Sequence, residues 1–208
     1  MQDRWYGDNR DLVKWGTLLE LARIYQAKQI LQVLYYRRNT WEHNEWPLIK
    51  VDGKEVEIAK EVIQHFRNSK SIRYLKRLTS LVSVDVLDET LSGRHQYLPY
   101  VVGEIRKRSL KPGIVFLDPD TGLEPPSRKS NLGHVLYDEL TEIWNNLEAA
   151  DVLVLYQHKT GMNKNDFITP KLQEFVNALG IDSAGAKYAH APTFNTANDV
   201  AFFYAKKE

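Results

Sequence analysis

The 208-residue chain has no cysteine, which removes disulfide frameworks, thiolate metal sites and cysteine nucleophiles from consideration. It has no run approaching the roughly 20 apolar residues of a membrane-spanning helix. Its first residues, Met1-Gln2-Asp3-Arg4-Trp5, do not form the basic-then-apolar pattern of a secretory leader. A cytoplasmic protein with no membrane partner is expected. An excess of either charge is missing too: 28 basic and 27 acidic residues leave a formal net charge of +1, so bulk charge selects no polyanionic partner. No repeat, low-complexity tract or Pro/Gly/Ser-rich linker divides the sequence. One α/β domain over residues 1–208 is expected at this length.

The elements follow from apolar spacing. Leu12, Trp15, Leu18, Leu19 and Ala22 recur at helical intervals and predict a helix over 8–24, with Asp8 as its N-cap and Asp11 three residues on. Residues 30–36 read as a strand, 39–52 as a long loop or small hairpin, 56–67 and 71–81 as helices, and 83–87 as a short strand. Helical spacing returns over 96–107, 136–147 and 170–179, with Pro170 suited to a first turn. The continuous apolar runs 113–117 and 151–156 read as buried strands, and 186–191 with 200–205 as a closing antiparallel pair. Strands alternating with helices predict a three-layer fold, a largely parallel sheet with helices on both faces.

In such sheets ligands gather where loops leave the carboxyl ends of strands. Two of these ends stand out, Asp118-Pro119-Asp120-Thr121-Gly122-Leu123-Glu124 and Gln157-His158-Lys159-Thr160-Gly161. A buried strand that runs into two carboxylates around a rigid proline must give both acids water, a cation or hydrogen bonds. Asp118 and Asp120 are therefore candidate catalytic groups, as general base or as partner of a developing cation; a simple turn requires only one such residue. His158 is a candidate to assist a leaving group, and Lys159 to hold a phosphate, with Gln157 and Glu124 beside the substrate. The helix start Tyr6 to Trp15 places Asp8, Asp11 and Lys14 where an anion or substrate can approach, although a capping arrangement also accounts for the two acids. Tyr36, Arg37 and Trp41, with Tyr35, Arg38 and Trp46, interleave aromatic and basic character, which suits stacking on bases. Further short basic clusters occur at Arg73, Lys76 and Arg77, at Arg106-Lys107-Arg108 with Lys111, at Arg128-Lys129 and at Lys164. These read either as phosphate contacts or as solvated helix faces.

Three resemblances attach to these residues. Gly7-Asp8-x-x-Asp11-x-x-Lys14 together with Val115-Phe116-Leu117-Asp118-Pro119-Asp120-x-Gly122 resembles an uncharacterised group of bacterial proteins that pair these motifs. The order of elements, with Asp-Pro after a central strand and a terminal strand pair, is similar to the class I S-adenosylmethionine-dependent methyltransferases. Their nucleic-acid enzymes carry Asp-Pro-Pro-aromatic where this chain has Asp118-Pro119-Asp120-Thr121, and a glycine-rich loop where it has Arg37-Arg38-Asn39. Asp118-Pro119 with Gly122, then Pro125-Pro126-Ser127, Asn131, Tyr137, Glu139 and Leu140, and later His158, resembles the uracil-DNA glycosylase superfamily. That likeness implies base excision from DNA without metal or cofactor, with Asp118 or Asp120 activating water and His158 at the departing base; Lys14, Arg37 and Lys159 would hold phosphates. A DNA glycosylase acting in repair or phage defence, on an ordinary or a modified base, is the expected function. Methyl transfer, an Mg²⁺ nuclease using Asp118, Asp120 and Glu124, and a nucleic-acid-binding module remain the alternatives.

Overall fold

The computed structural model describes residues 9–35, 48–62, 72–89, 91, 93–127, 131–159, 166–192 and 197–208. Helix α1 (Asn9–Ile24) leads into strand β1 (Gln29–Leu34), followed by the hairpin β2 (Leu48–Val51) and β3 (Lys54–Glu57). A 3-10 turn (Ile72–Arg77) precedes β4 (Ser83–Leu87), then come α2 (Arg94–Lys107), β5 (Gly113–Asp118), and the two-residue strands β6 (Gly122–Leu123) and β7 (His134–Val135). Helix α3 (Tyr137–Asn145), β8 (Val152–His158), α4 (Ile168–Leu179), β9 (Ala186–His190) and β10 (Val200–Lys206) complete the order.

The main sheet has eight strands in the order β3-β2-β9-β10-β8-β5-β1-β4. Pairing is parallel throughout β4-β1-β5-β8 and antiparallel from β8 through β10, β9 and β2 to β3. Only β10 and β2 run against the rest, so the sheet is mostly parallel in strand direction. Alternate residues of each strand feed two separate cores, as the pleat requires. Ile30, Leu34, Ile114, Phe116, Val152 and Val154 pack with Leu12, Trp15 and Leu18 of α1. Leu31, Val33, Val115, Leu117, Leu153 and Leu155 pack with Val101 and Ile105 of α2, Leu140 and Ile143 of α3, and Phe175 and Val176 of α4.

Two of the expected helices are corrected in extent; of the helix expected over 56–67, residues 60–62 are helical and 63–67 lie outside the described residues. Residues 54–57 form a strand, because Asp52 and Gly53 both take positive φ (51° and 74°) and close a two-residue turn with Val51 opposite Lys54. That backbone matches strand twist and fixes the hairpin before any helix can begin. The expected helix 71–81 is only the 3-10 segment Ile72–Arg77. The pair β6–β7, absent from the sequence reading, arises because Gly122 and Leu123 align in parallel with His134 and Val135.

Candidate active site

Chain order sets the position of the site. Within the parallel half of the sheet, after the β2–β3 hairpin at the opposite edge, the strand following β1 is β4 on one side, and the next is β5 on the other. The gap between the carboxyl ends of β1 and β5 is therefore the point where the winding reverses, the place where open α/β sheets take ligands. Leu34 and Asp118 face each other there in register.

Asp118 is 1% exposed. Its Oδ2 accepts hydrogen bonds from Lys14 Nζ at 3.0 Å and from Gln32 Nε2 at 2.7 Å. Lys14 also donates to Asp11 Oδ1 at 2.7 Å, and its ammonium lies 5.4 Å from the Tyr156 ring centroid and 6.0 Å from that of Phe116. The first two turns of α1 thus bring Asp11 and Lys14 onto the end of β5, which begins 99 residues after Lys14 in sequence. Burial works against the charged form of Lys14, but Asp11 and Asp118 overcome it and hold the ammonium protonated well above the ordinary lysine range. The Oε1 of Gln32, fully buried beside this cluster, has no hydrogen-bond partner. Asp120, half-buried, follows beyond the rigid Pro119.

A second cluster stands on the same sheet face. Alternation puts His158 on the side of Val154 and Tyr156, the α1 side. Its Nε2 lies 3.0 Å from Asp199 Oδ2, and its Nδ1 lies 3.0 Å from the carbonyl of Lys159. Arg10 of α1 grips the same carboxylate, through Nη2 at 2.5 Å and Nε at 3.2 Å. Burial raises the Asp199 carboxyl, yet the hydrogen bonds from His158 and Arg10 and the guanidinium charge carry it below the ordinary carboxylate range.

The other expected contact residues divide. Gln157 is fully buried on the opposite face and serves the scaffold rather than a substrate. Its Oε1 accepts from Leu123 N at 2.9 Å, and its Nε2 donates to the carbonyls of Thr121 (3.2 Å) and His158 (2.8 Å). Gly122, at φ +112°, is needed for this clamp, since a Cβ there would lie 2.4 Å from Gln157 Oε1. Glu124 is likewise turned inward and accepts Tyr137 N at 2.8 Å, at the start of α3. With Glu124 so engaged, and no group of three or more His, Asp or Glu among the described residues arranged to hold a metal, the three-acid Mg²⁺ centre does not form there. Lys159 is half-buried directly after His158. Asp8, Tyr36, Arg37 and Trp41 lie outside the described residues.

Among the basic clusters, Lys107 bonds to Glu104, Arg106 to Asn146, Lys111 to Glu148 and Arg108 to Asp151. This set sits at the far, amino-terminal end of β5 and is occupied locally. Arg10, Gln32 and Asp199 were not singled out from the sequence. Gln32 carried a signal, as an amide in the otherwise apolar run Ile30 to Leu34; Arg10 and Asp199 carried none. No described helix is long and apolar enough to cross a membrane. In sequence comparisons the chain matches no protein-family model and no curated protein.

Proposed function

We propose that the chain is a nucleic-acid-acting hydrolase, most specifically a DNA glycosylase that excises a base, on a three-layer scaffold with helices on both sheet faces. The observation that carries this reading is the juxtaposition of Asp11, Lys14 and Asp118, and a partly exposed His158, at the carboxyl ends of β5 and β8. Cleavage of an N-glycosidic bond builds positive charge on the sugar and negative charge on the departing base, and fixed charges already aimed at those positions lower the barrier. Asp118 is tied to Lys14 and Gln32, which suits it to electrostatic stabilisation of the sugar. Asp120 takes the proton of the attacking water as its oxygen bonds to the anomeric carbon. The C–N electron pair leaves with the base, which takes a proton from Nδ1 of His158 as that nitrogen lets go of the Lys159 carbonyl, Nε2 staying on Asp199. A metal has no part in this scheme.

The decisive assay incubates the protein with plain and base-modified DNA in EDTA, followed by alkali cleavage and mass analysis of released bases. Wild type should release base, and Asp120→Asn should slow release by about 10²-fold or more. If no DNA yields free base, the hydrolase reading is abandoned.

A second reading, methyl transfer, is favoured by one observation: β10 enters antiparallel between β8 and β9, beyond four parallel strands with Asp118-Pro119 at the end of β5. The carboxyl end of β1 fits S-adenosylmethionine poorly. Tyr35 is buried there against Tyr97 (ring centroids 5.7 Å apart), whose hydroxyl is donated to the Leu34 carbonyl, and no glycine follows in Tyr36-Arg37-Arg38-Asn39. Calorimetric titration with S-adenosylmethionine separates the readings, since binding with no base release would reverse their order.

A further inference from the structure

Three side chains from distant parts of the chain meet at the edge of the crevice: Arg10 at the start of α1, His158 at the end of β8 and Asp199 just ahead of β10. We infer that Asp199 is a positioning residue for His158, and that Arg10 grips the same carboxylate from α1 and so locks the imidazole in one orientation at the carboxyl end of β8. The catalytic use of this arrangement rests on the glycosylase reading of His158; the fixing of the ring does not.

The geometry supports the assignment at each contact. Asp199 Oδ2 receives Arg10 Nη2 at 2.5 Å and faces His158 Nε2 at 3.0 Å, while Oδ1 receives Arg10 Nε at 3.2 Å. The backbone is fixed too, because Lys159 N donates to the Asp199 carbonyl at 2.7 Å and His158 pairs with Val200 in the β8–β10 ladder. The second ring nitrogen, Nδ1, is placed against the Lys159 carbonyl. Nε2 is held by Asp199, Nδ1 rests on a carbonyl that a departing base displaces to take its proton, and about a third of the side chain (34%) stays open to solvent.

Stability alone does not explain such a set. Arg10 and Asp199 are 31% and 25% exposed, and partly exposed pairs contribute about 0–1 kcal/mol. A ring fixed by a carboxylate, itself fixed by a guanidinium, instead has the form of a support shell. Such a shell keeps a reacting group within the few tenths of an ångström that chemistry requires.

The test uses the full chain labelled with ¹⁵N-histidine, with His158→Gln to identify the signal. Wild type should show a downfield, slowly exchanging Nε2–H resonance for His158. Asp199→Ala should abolish it while the methyl spectrum stays native, and Arg10→Gln should broaden it without removing it. A His158 Nε2–H signal that survives unchanged in Asp199→Ala overturns the assignment, as does its absence from wild type. If Asp199→Ala does not fold, Arg10→Gln decides by the same resonance: an unchanged line overturns the relay. In the base-release assay Asp199→Ala should lower kcat about tenfold or more with KM little altered. Failure of wild type to release any base would sink the glycosylase reading, whereas the resonance alone judges the positioning role.

Discussion

Buried carboxylates stand at opposite ends of neighbouring parallel strands, and they are satisfied differently. Asp151, at the amino end of β8, receives Arg108 Nη2 at 2.5 Å and Glu148 N at 3.1 Å on Oδ2, and Gly113 N at 2.9 Å on Oδ1. Arg108 spends its Nε on the Ile105 carbonyl, so one cation meets one anion inside a ring of backbone donors. Asp118, at the carboxyl end of β5, shares Lys14 with a second acid and crowds two donors onto one oxygen, beside a glutamine oxygen without a partner. The first arrangement is neutral and closed, as a structural latch must be. The second joins two acids to one ammonium and leaves an unmet acceptor beneath the reversal point of the sheet. Natural folds accept such local imperfection mainly where function uses it.

The largest effect should come from breaking the closed end. Asp151→Asn leaves Arg108, with only 2% of its side chain exposed, buried without a counter-charge. We expect a loss of about 3–5 kcal/mol, read as a fall in the urea midpoint with little change in slope. A loss below about 1 kcal/mol would mean that water or a rearranged partner relieves Arg108, and the contrast between the two ends would collapse.

A smaller effect should follow from disturbing the support of the Asp118 turn. Gly122→Ala forces a side chain into φ +112° and to within 2.4 Å of Gln157 Oε1. We expect about 1–3 kcal/mol of destabilisation, together with loss of whatever activity the turn carries. Gln157→Ala in the same background should recover part of the stability by removing the clash, and a melt identical to wild type in Gly122→Ala would show that the turn relaxes freely.

Much of the framework was legible because it rests on local pattern. The runs 113–117 and 151–156 became β5 and β8 to within a residue or two, since continuous apolar character leaves a strand few other places to lie. The apolar stripe of α1 was equally plain. Residues 56 and 57 belong to β3 rather than to the expected helix, because the local instruction that sets the hairpin, Asp52-Gly53, is only two residues long. Half of the site was readable in the same way, from acids at the end of an apolar strand and from Asp11 and Lys14 near a helix start. That Lys14 reaches Asp118 across 104 residues is a property of topology, not of either motif. Asp199 became significant only through the antiparallel return of β10. Gln157 and Glu124 looked like site residues because they are polar at strand ends, but backbone donors and acceptors of neighbouring loops claim them first.

The smallest expected effect is the most informative about the crevice. Asp118→Asn leaves Lys14 paired with Asp11 at 2.7 Å. Stability at neutral pH should therefore change by no more than about 1 kcal/mol, far less than for Asp151→Asn, even though Asp118 is just as buried. The alkaline side should differ more. In wild type the folded-state pKa of Lys14 is raised above its unfolded value, so its contribution is fully present below the ordinary lysine range near ~10.4. It is lost only as pH rises through the folded value. Without Asp118 one of the raising charges disappears, and the loss should begin at lower pH. Thermal melts of both proteins from neutral to strongly alkaline pH check this. If Asp118→Asn instead costs as much as Asp151→Asn at neutral pH, the carboxyl-end cluster is a second latch, and its charge is not held in reserve for a substrate.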